Sequence, residues 1–360
     1  MKTKSILALL TVYLTIRLAQ NTITCEEALK NFEGYECLDN GVEFGSGAFG
    51  KAYKVRDIET KEVCILKVAT KLDETDINEI EALMDLKDKG NIIQVRKVKK
   101  DWDFNYIILE FGENGDLDKF MRKNKFKTKK DLLQMFKGIV KGVQHIHAKG
   151  YVHRDLKTEN IVVTKKFIPK IIDFGVVGKI DHFEYIAGTL NYVAPEINFS
   201  VNRQVTKAEF DLYSLGVILY ELETGKLPFK DTNMAKFNYF KSRGIYPLKA
   251  GMNKQVVSII QKLLRVNPQE RINLADLLEM IDGYIKADKW DYLTKSEYVT
   301  EDGEFYWYYI PNFSLLYILQ FFLFVICLLS AKMIGKKFIA KFGEDKEDKE
   351  VQLKDVENGV

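Results

Sequence analysis

Apolar and polar positions change rhythm several times along the chain. The stretch "VEFGSGAFGKAYKV" (42–55) alternates as a half-buried strand does, with Gly45, Gly47 and Gly50 breaking the alternation. "EVCILKVAT" (62–70) is strand-like, and Lys67 interrupts its apolar run. In "INEIEALMDL" (77–86), apolar residues at 77, 80, 83, 84 and 86 follow a helical period. "YVHRDLKTENIVV" (151–163) crowds His153, Arg154, Asp155, Lys157 and Glu159 between two apolar ends. That is the pattern of a solvated turn between short strands, or of a catalytic loop. In "IIDFGVVG" (171–178), Asp173 follows two isoleucines of the kind that are buried.

Two further runs are apolar without any period. Lys2 and Lys4 precede an uncharged run from Ser5 to Ile16. It suits a signal peptide or signal-anchor over residues 1–20, the alternative being a buried N-terminal helix. From Phe305 to Ala331 no residue is charged, and "SLLYILQFFLFVICLLS" is apolar on every face, so a transmembrane helix is expected over 310–334. "EFYWYYI" (304–310) resembles an interfacial aromatic belt. Lys332, Lys336, Lys337 and Lys341 follow the span, whereas Lys295 stands among Glu297, Glu301, Asp302 and Glu304 before it. Positive-inside logic therefore puts the C-terminal tail (335–360), mixed in charge and expected to be disordered, in the cytosol. The middle of the chain then faces the lumen or the exterior, a cytosolic domain being the alternative. Residues 21–39 and 289–309 read as linkers. Cys25 and Cys37 are either a pair formed in an oxidising lumen or two free thiols. Asn198 and Asn312 head glycosylation sequons that are usable on the lumenal side.

Composition narrows the classes. The chain is 46% hydrophobic with 54 Lys+Arg against 51 Asp+Glu, a net charge of +3, which is no footprint for nucleic acid. His145 and His147 are two apart and would point to different faces of a helix, so no zinc pair is expected there.

The chemistry lies in the middle. Glycines let a backbone turn tightly and bring N–H groups to an anion, although a bulged hairpin looks similar. A buried Lys67 wants an anionic partner, for which Glu79 and Glu81 are candidates; the alternative is a snorkelling edge lysine. Asp155, Asn160 and Asp173 offer hard oxygen ligands of the kind Mg²⁺ takes. Cradled phosphates, neutralised charge and an oriented nucleophile are what phosphoryl transfer requires.

These motifs, in order, resemble a eukaryotic protein kinase domain over about residues 40–288: "GSGAFG" (45–50), Lys67, the helix glutamate, "HRDLKTEN" (153–160), "DFG" (173–175), "APE" (194–196), "DLYSLG" (211–216) and Arg271 paired with Glu196. The resemblance implies an α+β, bilobal fold, with a small β-rich lobe over about 40–111, a mostly helical lobe over about 113–288 and ATP between them. By the same resemblance Gly45, Ser46, Gly47, Ala48, Phe49 and Gly50 cover the ATP phosphates. Lys67, held by Glu79, binds the α- and β-phosphates. Asp155 is the base, Lys157 steadies the transferred group, and Asn160 and Asp173 hold Mg²⁺. Leu109 is the gatekeeper, and the main chain from Glu110 to Gly112 bonds adenine. Lys157 two residues after Asp155, and Thr189 placed to bridge them, follow the serine/threonine pattern, so the implied partners are ATP and Ser/Thr-bearing proteins. With the membrane span, the reading is a membrane-anchored serine/threonine kinase; the alternative is a tethered pseudokinase acting as a binding module.

Three departures stand out. The adenine roof usually pairs a Val with an Ala; here Ala52 and Ile65 stand there, as if the bulk had crossed strands. The segment from Asp173 to Thr189 has no Ser or Thr before Thr189, which closes phosphorylation there apart from Tyr185; Asp181 or Glu184 could give Arg154 a permanent carboxylate instead, and activity without phosphorylation of the segment is expected. The short connection from Lys67 to Glu79 requires the helix to start early.

Overall fold

The computed structural model describes residues 23–47, 50–70, 75–101, 104–123, 126–230, 233–294 and 306–308. The leader, the 310–334 segment, the tail, Ala48 and Phe49 lie outside the described residues. Among those described, no helix is long and apolar enough to cross a membrane.

Period-two alternation builds the small lobe. Strands β1 (Tyr35–Cys37), β2 (Glu43–Gly47), β3 (Gly50–Asp57), β4 (Val63–Thr70), β5 (Val95–Lys100) and β6 (Phe104–Glu110) form one antiparallel sheet in the order β1-β3-β4-β6-β5, with β2 also on β3. Alternation sorts each strand between two faces. Tyr53 and Val55 of β3 and Cys64, Leu66 and Val68 of β4 share a core on one face. Ala52, Ile65 and Lys67 point from the other face into a cleft.

The first core has a cover that the reading of residues 21–39 as a linker does not contain. Residues 23–38 fold onto the sheet. Helix α1 (Cys25–Leu29) begins with a reciprocal capping box between Thr24 and Glu27. A disulfide joins Cys25 to Cys37, and β1 pairs with the end of β3. Cys25, Ala28 and Phe32 are buried against Tyr53, Val55 and Leu66, and the Tyr53 hydroxyl donates to the Ile23 carbonyl at 2.6 Å.

Helix α2 (Thr75–Asp85) links the lobes, with Ile80, Leu83 and the following Leu86 in the main core. The larger lobe holds α3 (Leu117–Lys123), α4 (Lys129–Ala148), α5 (Glu209–Thr224), α6 (Met234–Ser242), α7 (Lys254–Leu263) and α8 (Leu274–Ala287). A Thr128–Asp131 capping box starts α4, and its Leu132, Phe136, Ile139, Val143 and Ile146 form one buried stripe. Helix α5 is buried nearly all round and ends at Gly225 in the left-handed conformation (φ 69°). At Gly216 a Cβ would lie 2.7 Å from Leu264, so α5 and the end of α7 meet through that glycine.

Short ribbons complete the lobe: β7 (Tyr151–Val152) pairs with β10 (Gly178–Lys179), β8 (Ile161–Val163) with β9 (Pro169–Ile171), β11 (Phe183–Tyr185) with β12 (Arg203–Val205), and β13 (Tyr246–Leu248) with β14 (Tyr306–Tyr308). The apolar flanks of the 151–163 segment are thus strands, β7 and β8. The packed chain runs past 288, since Leu293 is buried and its N–H donates to the Met252 carbonyl at 2.9 Å. The architecture is α+β and bilobal.

Candidate active site

A cavity of about 710 Å³ lies between the lobes. Gly45, Gly50, Ala52, Ile65, Lys67, Glu79, Leu109, Glu110 and Gly112 line it, facing Asn160 and Asp173. Ser46 and Gly47 belong to β2 by their backbone. Two of the glycines are dictated by space. Gly50 has φ 129°, and a Cβ there would lie 2.1 Å from the Val68 carbonyl oxygen. At Gly112 a Cβ would meet Val162 at 2.6 Å, which brings the chain between the lobes down onto the cleft floor. Phe44 and Phe111, which the sequence reading does not single out, close the outer lip edge to face at 5.8 Å, with the Lys54 ammonium 4.8 Å from the Phe44 ring centroid.

Deeper in, β4 points Lys67 at α2. Its ammonium is 2.6 Å from Glu79 and 3.7 Å from Asp173. Burial by itself would pull the Lys67 pKa down, but the two carboxylates outweigh it and hold the pKa above the ordinary lysine value. Glu79 is the partner, while Glu81 is exposed. The group is a fixed positive charge set against two anions, at the depth where a polyphosphate would need neutralising.

Across the cleft, the loop between β7 and β8 gathers the second group. Thr189 donates to Asp155 Oδ1 at 2.6 Å. Lys157 donates to Asp155 Oδ2 at 2.7 Å and to the Thr189 hydroxyl at 2.9 Å. Asn160 donates to the Asp155 carbonyl at 2.9 Å and to its carboxylate at 3.0 Å. The Asp155 carboxylate is therefore oriented from three sides, as a group that must meet a hydroxyl in one geometry needs to be.

The loop is held from below by Asp211, a role that sequence reasoning missed. Fully buried on α5, it accepts the His153 N–H at 2.9 Å, the Arg154 N–H at 3.0 Å and His147 Nε2 at 2.9 Å. Burial alone would raise its pKa, but the His147 bond and its neighbours hold it below the usual carboxylate value. These bonds secure Arg154 in the left-handed region (φ 69°), next to Asp155. His153 Nε2 meets the Ile172 carbonyl at 2.9 Å, and its ring packs on the buried Phe174 at 5.1 Å. With Phe174 inward, Asp173 is turned to the cleft (φ 63°). A second missed network joins the Tyr192 hydroxyl to Glu221 at 2.7 Å and to Thr158.

Arg154 does not take the carboxylate expected from Asp181 or Glu184. Its Nε donates to the Val176 carbonyl at 2.5 Å and its Nη1 to the Tyr185 carbonyl at 2.7 Å. Asp181 is drawn instead to Lys207, and Glu184 contributes through its field. The main chain of the 173–189 segment thus occupies the guanidinium. Further on, Arg271 grips Glu196 with two bonds, of 2.6 and 2.7 Å.

The donor set suits Mg²⁺. The Asn160 amide nitrogen is committed to Asp155, which leaves its oxygen for the cleft, and the Asp173 carboxylate lines the same wall. Two hard oxygen groups are too few for an all-protein cage, but they match an ion that completes its shell with water and phosphate oxygens.

Comparison with known sequences gives a family and relatives. The protein kinase domain family matches residues 38–281. Serine/threonine-protein kinase cds1 of Schizosaccharomyces pombe is 30% identical over 242 residues, 64% of this chain and 52% of its own. Serine/threonine-protein kinase PLK1 of Xenopus laevis is 30% identical over 257 residues, 68% and 42% respectively. CBL-interacting serine/threonine-protein kinase 1 of Arabidopsis thaliana is 32% identical over 273 residues, 72% and 58%. The chain spans about half the length of the curated relatives it matches.

Proposed function

The chain belongs to the protein kinase family, and we propose that it transfers the γ-phosphoryl group of ATP to serine and threonine hydroxyls of protein substrates. One observation carries this reading. The Lys67–Glu79–Asp173 group lines the cleft, and Asn160 on the same wall bonds the Asp155 carboxylate that Lys157 and Thr189 also hold, which supports a phosphoryl transfer with charge at both ends. Adenine lies between the Ala52/Ile65 roof and the chain from Leu109 to Gly112. Lys67 neutralises the inner phosphates, and Glu79 keeps its ammonium aimed. Asp155 orients the acceptor hydroxyl and takes its proton as the oxygen–phosphorus bond forms and the bond to ADP breaks. Lys157 faces the charge on the transferred group. Mg²⁺, held by Asn160 and Asp173, supplies charge neutralisation on the phosphates. A pseudokinase commonly lacks one of these groups, whereas Lys67, Asp155, Asn160 and Asp173 are all present, which favours the enzyme.

The test is phosphoamino-acid analysis of a protein substrate labelled by the full chain and by Asp173→Ala. Wild type yields phosphoserine and phosphothreonine, and the variant does not. Equal labelling by the two would overturn the reading.

The same proposal anchors the chain in a membrane through residues 310–334, with the catalytic domain lumenal or extracellular and the tail cytosolic. Supporting it are the uncharged run from Phe305 to Ala331, the lysines after it, and the Cys25–Cys37 disulfide, a bond that persists in oxidising compartments. In sealed vesicles carrying the full chain, the catalytic domain resists added protease while the tail is cut; digestion of the domain would reverse the orientation.

A further inference from the structure

Lys241 is 5% exposed and pairs with no carboxylate among the described residues. It lies on α6, one turn beyond the buried Phe237. Its ammonium donates to the Leu190 carbonyl at 2.7 Å and stands 5.2 Å from the Phe237 ring centroid and 5.9 Å from that of Tyr213. The Arg271 guanidinium lies 5.1 Å from the same Tyr213 ring and is itself locked to Glu196. Burial pulls the Lys241 pKa down to about 8, and the field of Glu196 offsets only part of that.

Burying an ammonium against one carbonyl and two ring faces is a poor way to stabilise a fold, since an apolar chain of similar length would avoid the desolvation. The position of Leu190 suggests what the lysine does instead. Leu190 follows Thr189, whose hydroxyl sits between Asp155 and Lys157, and Leu190 itself is 38% exposed. The carbonyl that Lys241 holds is therefore one residue from the hydroxyl bonded to Asp155.

We propose that Lys241 is a positioning residue for the protein substrate: by holding the Leu190 carbonyl it fixes the 188–193 loop as a surface on which the acceptor chain aligns. This rests on the kinase reading. It makes function and stability respond in opposite directions when the ammonium is removed, which a purely structural lysine would not do.

The test compares full-length wild type, Lys241→Met and Lys241→Arg. The methionine variant is expected to raise KM for the protein substrate about tenfold, the scale of losing one hydrogen bond from a charged donor, with kcat within about threefold and KM for ATP unchanged. Amide hydrogen exchange across 188–193 quickens. Lys241→Arg, which keeps a charged donor, stays within about threefold of wild type in substrate KM.

Stability runs the other way. At pH 7 the methionine variant unfolds at an equal or higher denaturant midpoint. The lysine is protonated in the folded chain only below about 8, against 10.5 for its ordinary value. Its penalty is therefore complete below pH 8 and fades as pH rises toward 10.5, where the wild type catches up. Tyr213, its pKa pushed well up by burial, stays neutral across that window. Unchanged substrate KM and unchanged exchange in Lys241→Met would overturn the proposal. A wild type without transfer activity would overturn the kinase reading instead, and the exchange comparison would still decide the role of Lys241.

Discussion

The Lys67 ammonium and the Glu79 carboxylate meet at 2.6 Å, twelve residues apart in the chain and with Glu79 nearly sealed from solvent. Glu79→Gln keeps the shape and removes the charge. Lys67 would then lean on Asp173, now 3.7 Å away, and draw that carboxylate from the cleft. The expected result is a fall in kcat/KM for ATP of roughly 10- to 100-fold, the scale of one hydrogen bond to a charged group, with the thermal midpoint within a few degrees of wild type. Steady-state kinetics against ATP concentration measure it, and an unchanged kcat/KM would detach the pair from nucleotide handling.

Ala52 and Ile65 share the cleft face of neighbouring strands, since Ala52 pairs with Lys67 and Lys54 with Ile65. Ala52→Val adds bulk to a roof already filled from the other strand, a change of about 1–3 kcal/mol. Nucleotide affinity is expected to drop roughly tenfold. Ala52→Val combined with Ile65→Ala is expected to recover most of it. Fluorescent-nucleotide titration reads both, and wild-type affinity in the single variant would show that the two positions do not exchange volume.

The carbonyls of Val176 and Tyr185 already occupy Arg154, so no phosphate is needed to order that side of the segment. Phosphatase-treated wild type, and Tyr185→Phe, are expected to keep activity within about threefold of untreated enzyme, the scale left when no bond to a charged group is lost. Mass spectrometry of the 173–189 peptide confirms the absence of phosphate. Loss of activity on treatment, traced to a site in that peptide, would contradict this.

The Cys25–Cys37 bridge closes a short loop, with a sequence separation of 12, that packs on the small lobe. Chain-entropy reasoning assigns such a closure roughly 3 kcal/mol. Cys25→Ser with Cys37→Ser should lower the thermal midpoint by about 5 °C or more, by the usual scaling for a chain of this size, and open residues 23–38 to protease. Transfer activity should change little, because the bridge lies on the sheet face turned away from the cleft. An unaltered midpoint and protease pattern would mean that the cap is not coupled to the sheet.

Much of the catalytic set was legible because each member sits in a local pattern. Lys67 interrupts an apolar strand, Glu79 lies in a helical run where the kinase resemblance favours it over Glu81, and Asp155, Lys157 and Asn160 fall within one loop. What stayed hidden depends on contacts between distant segments. Asp211 reads as the polar start of an apolar helix, and only the packed fold brings it under His153 and Arg154. The cap of residues 23–38 consists of a five-residue helix and a three-residue strand, too short for any period to register. Asp181 and Glu184 are carboxylates of the segment that meets Arg154, but beside the β11–β12 ribbon Asp181 pairs with Lys207 instead. Lys241 looks like a solvated helix lysine until Phe237 and Tyr213 close over it.

If the proposed function holds, Asp155 serves hydroxyl attack at a nucleotide held by the rest of the cleft. Single-turnover transfer from labelled ATP to a protein substrate by Asp155→Asn, with nucleotide affinity measured in parallel, tests it most directly. Nucleotide affinity is expected within about threefold of wild type and the transfer rate lower by about 100-fold or more, the usual scale of a lost general base. A variant that transfers phosphate at the wild-type rate would contradict it.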